Sequence, residues 1–251
     1  MANRSSGDGI TDHHTRLSSV RDRPSFPLWL KLVYTAFLLV LVPYYWASYG
    51  AQNFLYFCDI ALGLTLIALW RDAPLPTSMA AIGIVGPQLL WLVDFSYRAL
   101  TGGHIVDLTE YMFDPGIPLF VRGLSLFHGW LPLLLIYMVV HVGYDRRALV
   151  MQTLLTWGVL IITSLTVTDP THPAGNVNKI FGFVADGDVQ TDYSPHAWLG
   201  ILLVAYPLVI LVPSHMALRL LVAASETGEK PEPATTMSHP VTAGGPETSD
   251  A

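Results

Sequence analysis

The chain has 251 residues, 52% of them hydrophobic and only 13% charged, with a formal net charge of −6. A soluble domain carries about 25% charged residues, so the composition excludes an ordinary soluble globular domain. The acidic balance excludes nucleic acid as a partner, and the single cysteine, Cys58, excludes an intramolecular disulfide and gives no compartment signal.

Residues 1–27 are polar and aperiodic and are expected to form a disordered N-terminal tail. Six apolar runs follow: Leu28–Ser48, Phe54–Trp70, Thr77–Ser96, Ile117–Val140, Ala148–Val167 and Ala197–Val212. Each approaches the roughly 20 residues that a helix needs to cross hydrocarbon. In lipid such runs satisfy their backbone as helices, and no period-2 alternation suggests a barrel. The expected fold is all-α, a polytopic bundle of six transmembrane helices over residues 28–214. The long polar lead and long first apolar run predict a retained span rather than a cleaved signal.

Between the third and fourth runs, Gly102-Gly103 and Asp114-Pro115-Gly116 punctuate a long loop with a short interfacial helix expected over Ile105–Phe113. The loop Thr168–Pro195 is long enough to suggest a lid or binding segment. The connections around Arg71–Pro76 and Gly143–Arg147 are short. After the sixth run, His215–Ala224 reads as a separate interfacial helix, and residues 225–251 as a disordered tail. Pro43, Pro87, Pro132 and Pro207 fall inside runs; Pro132 would free the carbonyl of His128, and Pro87 that of Gly83.

Orientation follows from Lys and Arg. Alternating crossings place Arg4, Arg16, Arg21, Arg23, Lys31, Arg71, Arg146, Arg147, Arg219 and Lys230 on one side, and Arg98, Arg122 and Lys179 on the other. The positive-inside rule then puts both termini in the cytoplasm.

Seven polar residues interrupt or flank the second, third and fourth runs: Asn53, Cys58, Asp59, Asp94, Arg98, Arg122 and His128. In alternating crossings all fall in the outer half of the bilayer. Cys58 lies roughly 7 Å deeper than Asn53, and His128 about 9 Å deeper than Arg122, at 1.5 Å rise per residue. Charges in hydrocarbon are expensive and mark either pairing or function. The structural reading pairs Asp94 with Arg98, one turn apart, and Asp59 with Arg122. It leaves Cys58 as a small apolar residue and His128 bonded to a backbone carbonyl. The chemical reading makes Cys58 a nucleophile, His128 its base and Asp94 the group that orients the imidazole. Asn53 would donate to an oxyanion, and Asp59, Arg98 and Arg122 would bind substrate or support the site. Asp59 beside Cys58 opposes a thiolate, which Arg98 or Arg122 would have to offset.

The stretch Asn53-Phe-Leu-Tyr-Phe-Cys58-Asp59-Ile-Ala-Leu resembles the Cys-bearing motif of multi-pass membrane acyltransferases of ether phospholipids. The stretch Leu124-Ser-Leu-Phe-His128-Gly-Trp-Leu-Pro132 resembles that family's later His-containing helix. The overall pattern is similar to bacterial multi-pass proteins described as membrane-associated, and more distantly to membrane hydrolases of fatty-acid esters. The resemblance covers about residues 50–200. It implies a lipid acyltransferase or hydrolase with Cys58 and His128 as the catalytic pair, membrane lipids as partners, no cofactor and no metal, in a bacterial inner membrane. The chain departs from the family in its Asp after Cys58 and in its acidic outer loops.

Other readings stand beside this one. His128 and His141 share a run, but thirteen residues at 3.6 per turn set them on opposed faces, against stacked haems. His104, His172 and His196 could hold zinc, without a supporting spacing. A transporter would fit intramembrane Asp and His, yet no repeat is detectable. A non-enzymatic scaffold or binding subunit with structural ion pairs remains the main alternative. Tyr44, Tyr45, Trp46 and Tyr49 fit an interfacial aromatic belt.

Overall fold

The computed structural model describes residues 25–103, 105–106, 108–172, 174–184 and 187–228. Of the expected tails at 1–27 and 225–251, residues 1–24 and 229–251 lie outside the described residues, and 225–228 continue the last helix instead of a disordered tail. Leu28–Tyr49 forms α1, and a 3-10 stretch at Ala51–Leu55 leads into α2, Phe57–Arg71. Then come α3, Pro74–Thr101; α4, Leu119–Ser125; α5, Phe127–Val142; and α6, Ala148–Thr166. The last helix starts as α7, Pro195–Ala205, passes through a π-helical segment at Tyr206–Leu211, and continues as α8, Val212–Gly228. No strand occurs among the described residues.

This is a helical bundle of membrane type. Among the described residues, five helical stretches are long and apolar enough to cross a bilayer: α1, α3, α4 with α5, α6, and α7 through α8. The second expected run, Phe54–Trp70, gives a shorter helix. With 15 residues, α2 is about 22 Å long at 1.5 Å rise, less than the roughly 30 Å of hydrocarbon. Its N-terminal extension is the 3-10 stretch.

Helix α3 sits at the centre and packs against α2, α5, α6 and α8. Its first half carries Thr77, Ser78, Ala80, Ala81 and Gly83, all buried, and such small side chains let helices approach closely without a hydrophobic driving force. An ideal Cβ on Gly83 would stand 2.9 Å from Gln152 Nε2 of α6, and one on Gly86 would stand 3.2 Å from Ser214 Oγ of α8. Leu131, Leu135 and Met138 of α5 are buried in the same core as Ala81 and Ile82 of α3.

Two ends of the bundle are fixed by hydrogen bonds. At the short-turn end, Asp72 accepts from the Phe26 N–H at 2.8 Å and pairs with Lys31 at 3.0 Å. This ties the start of α1 to the α2–α3 turn. There too Ser78 Oγ accepts from the Asp145 N–H at 2.9 Å, and Tyr144 Oη meets His215 Nδ1 at 2.6 Å. Asp145 accepts from the Arg147 side chain at 2.7 Å and from its N–H at 2.9 Å. That guanidinium, first, and the N–H hold its carboxyl below the usual carboxylate range. The opposite end carries both long loops.

Three expectations change. His215–Ala224 is not a separate interfacial helix: α8 runs through it without a break, and Leu218 is buried in the main core. The predicted helix Ile105–Phe113 reduces to one 3-10 turn at Glu110–Met112, because the loop's backbone N–H groups find a side-chain acceptor instead. The run Ile117–Val140 divides at Leu126, where tight three-residue bonds replace the α pattern: Leu126 N–H to Gly123 O at 3.3 Å and Gly129 N–H to Leu126 O at 2.9 Å.

Pro207 shows how this fold handles a helix-breaking residue. It cannot donate to the Leu203 carbonyl, and the indole N–H of Trp157 in α6 does so at 2.7 Å. A neighbouring helix thus satisfies the freed carbonyl, as hydrocarbon requires.

Candidate functional site at the loop end

The α1–α2 junction positions the first group of polar residues. Asn178 sits in a left-handed conformation, φ 50°, which Asn tolerates better than most residues. Its Oδ1 accepts from the Phe57 N–H at 3.1 Å, and its Nδ2 donates to Leu55 O at 2.7 Å. One loop side chain therefore caps the start of α2 and holds the turn before it. Nearby, Gln52 Nε2 donates to Ala174 O at 2.8 Å and meets His172 Nδ1 at 2.6 Å. His172 Nδ1 also accepts from the Ala174 N–H at 3.0 Å, so that nitrogen carries no hydrogen. Val167, Ala174 and Val177 form a small second core against Tyr49, Leu55, Tyr56 and Phe181.

On this platform Asn53 Nδ2 donates to Asp59 Oδ2 at 3.2 Å, and the Cys58 thiol reaches the same oxygen at 3.9 Å. Asp59 Oδ1 is buried and has no hydrogen-bond partner among the described residues. The expected Asp59–Arg122 pair is not formed. Arg122 instead donates from Nη1 to Met112 O at 3.1 Å, and its Nε is buried without a partner among the described residues.

Asp94 is fully buried in α3. Its Oδ1 accepts from the N–H groups of Ile105 and Val106 at 2.9 and 3.0 Å. Its Oδ2 accepts from the Leu108 N–H at 3.0 Å and the Thr109 hydroxyl at 2.8 Å. The carboxylate thus organises the loop after α3. Its oxygens are committed there and not to the Arg98 pair or the His128 orientation expected from sequence. The Arg98 guanidinium lies over the Phe113 ring, 5.5 Å from its centroid.

His128 opens α5. Its Nδ1 bonds Ser125 O at 2.8 Å. A carbonyl only accepts, so Nδ1 carries the hydrogen and Nε2 is the basic nitrogen of the neutral ring. The ring stacks on Phe127 at 4.0 Å and on Trp91 at 5.4 Å. Ser125 Oγ meets Tyr45 Oη at 3.1 Å, and Tyr111 lies within electrostatic reach of Trp91, Ser125 and Cys58. Burial pushes the Tyr111 phenol up, so it stays protonated.

The fold therefore brings Cys58, Asp59 and Asn53 into one hydrogen-bonded group, and His128, Ser125 and Tyr45 into another. No hydrogen bond joins Cys58 to His128. Tyr45, Tyr111, Ser125, Asn178 and Gln52 escaped the sequence reading as site residues. Only Asn178 carried a signal, an Asn in a Gly- and Pro-rich loop. Tyr45 was legible only as part of an aromatic belt.

A lateral groove of about 450 Å³ opens between α1 and α2 beside the first group. Its walls include Leu38, Val42, Trp46, Phe54, Leu62 and Leu66; Thr35 and Asp59 are the polar side chains among them. The Thr35 hydroxyl is already engaged, donating to Lys31 O at 2.7 Å and accepting from Trp70 Nε1 at 3.0 Å.

Fold and site together define a helical integral membrane protein with a polar centre at its loop end. No family model, curated protein or solved structure matches the chain.

Proposed function

We propose that this protein is a multi-pass membrane protein that binds lipid at its loop end, through the groove between α1 and α2. Six crossings with both termini cytoplasmic, in a bacterial inner membrane, complete the reading. The observation that carries it is the groove itself: an apolar slot of about 450 Å³ with Asp59, the hydrogen-bond partner of Asn53 and Cys58, in its wall. Apolar pockets with a few placed polar groups are the usual form of a small-molecule site.

The committed hydrogen bonds favour binding over covalent chemistry. Asp94 is used by the loop, the Cys58 thiol faces a carboxylate oxygen, and His128 bonds Ser125 O. Asp94 and Arg122 are held by backbone partners rather than by the ion pairs expected from sequence. Native mass spectrometry of the detergent-purified protein tests the reading. A Cβ on Gly63 would meet nothing within 4 Å, so Gly63→Trp fills the groove without a backbone clash. Wild type should retain co-purified lipid and the variant should lose it; equal lipid on both removes the proposal.

A second reading, acyl transfer or ester hydrolysis through Cys58 and His128, is favoured by one feature. The Nδ1 bond of His128 leaves Nε2 free to act as a base. It requires a thiol-directed acyl probe to label Cys58 in native membranes, and His128→Ala to abolish that labelling.

A further inference from the structure

At the short-turn end the turn between α5 and α6 meets α8, and two positive charges there have no acidic partner. Tyr144 Oη in that turn meets His215 Nδ1 of α8 at 2.6 Å, and the two rings stand edge to face with centroids 5.4 Å apart. Arg219 follows His215 by four residues, so the two share a face of α8. Arg146 follows Tyr144 by two residues. Both guanidiniums lie within electrostatic reach of the His215 ring, and Arg219 also of the Tyr144 hydroxyl. The carboxylate of the same turn, Asp145, is engaged by the Arg147 side chain through bonds of 2.7, 3.1 and 3.2 Å. Among the described residues Lys31–Asp72 is the other ion pair, so neither Arg146 nor Arg219 meets a carboxylate there. Like charges gathered about one imidazole repel each other, and an anion bound by both removes that cost.

We propose that Arg146 and Arg219, gathered about His215, bind the phosphate of an anionic phospholipid whose chains lie along the exposed faces of α6 and α8. The leaflet is that of the short-turn end, cytoplasmic in the orientation proposed above. Guanidinium forks match the paired oxygens of a phosphate, and basic clusters between helices at the cytoplasmic surface hold such head groups. The flanks suit acyl chains. Met216 and Leu220 beside Arg219 are 59% and 71% exposed, and Val150 in the first turn of α6 is 58% exposed. A zwitterionic head fits less well, because its ammonium meets the same two arginines. This site uses other helices than the α1–α2 groove, so each stands without the other.

The test uses the full chain in phosphatidylcholine nanodiscs at physiological ionic strength, where exposed charges more than about 8 Å apart are largely screened. Trace phosphatidylglycerol or phosphatidylcholine carries a photoreactive group at the start of one acyl chain. Mass spectrometry maps the crosslinked peptides, and competition with unlabelled lipid gives relative affinities. Phosphatidylglycerol should crosslink within 146–151 or 212–225 and bind there about tenfold or more tightly than phosphatidylcholine. Arg146→Gln and Arg219→Gln should each lower that preference about fivefold or more. Both side chains are exposed, so these variants keep the fold. Arg71→Gln, at an exposed arginine of the same end, should change the preference less than about twofold. An equal loss with Arg71→Gln makes the attraction a diffuse property of the basic end and overturns the site, as does equal binding of the two lipids to wild type. Displacement by water-soluble glycerophosphoglycerol at the concentration of the competing lipid makes the ligand a free phosphodiester and overturns the lipid assignment.

Discussion

A carboxylate buried in a membrane helix survives only if its acceptor positions are filled, and Asp94 fills its own with four donors from the loop that follows α3. Asp94→Asn replaces one acceptor oxygen with an NH₂ that faces donors, leaving at least one buried N–H unpaired. The expected loss is about 3 kcal/mol, from broken charge-assisted bonds and orphaned donors. It should appear as a lower unfolding temperature in detergent and faster proteolysis within 101–119. An unchanged unfolding temperature would mean the loop is held by something else. From sequence, the spacing of Asp94 and Arg98 pointed to an ion pair, and the company of His128 to a triad. Both were reasonable for side chains that can be seen. Three of the four actual partners are backbone amides, which look the same in every residue, so nothing in the sequence marked them. The bond from His128 to a carbonyl was among the sequence expectations, because a buried imidazole has few other partners in an apolar run.

At the level of elements, periodic apolar length gave helices α1, α3 and α6 within a few residues. The breaks were harder to place. Leu126 lies in a continuous apolar run, and no Pro or Gly stands at the break itself. The π segment at Tyr206–Leu211 was marked by Pro207, but its rescue by Trp157 depends on which helix lies alongside. Trp157→Phe should therefore cost about 1–2 kcal/mol by stranding the Leu203 carbonyl. Pro207→Ala restores a backbone donor, so in that background Trp157→Phe should cost less than half as much. A double-mutant cycle on unfolding temperatures measures the coupling, and additive effects would break the link between Pro207 and Trp157.

The turn before α6 gives a pH dependence. The Asp145 carboxyl is held below its ordinary range by Arg147. A group with a depressed folded pKa stabilises the protein above its unfolded value, near 4, and loses that contribution as pH falls through the folded value. The stability difference between wild type and Asp145→Asn should thus be constant from pH 8 to 6 and shrink on acidification below about 4. A difference that grows on acidification would contradict the assignment.

For the whole molecule, charge and geometry separate the two ends by independent routes. Lys31, Arg71, Arg146 and Arg147 lie at the end where Asp72 ties α1 to the α2–α3 turn. The loops 101–119 and 166–195 gather at the other, joined to the α1–α2 junction by Gln52 and Asn178. The weak link is α2, whose 15 residues fall short of the bilayer. It reaches across only if the 3-10 stretch at Ala51–Leu55 completes the crossing or the bilayer thins locally, as short spans oblige it to do. Because Cys58 is the only cysteine, Cys58→Ser gives a clean background for single-cysteine labelling with a membrane-impermeant maleimide. Asp188→Cys should label in intact cells. Ser25→Cys, Ala73→Cys and Arg146→Cys should label only after permeabilisation, as the positive-inside rule requires of the basic end. If Ser25→Cys and Ala73→Cys label from opposite sides, α1 and α2 do not form a hairpin across the membrane, and the groove between them does not face lipid. Matching labels from those two sites, with Asp188→Cys opposite, set the Asp59 group in the outer half of the bilayer.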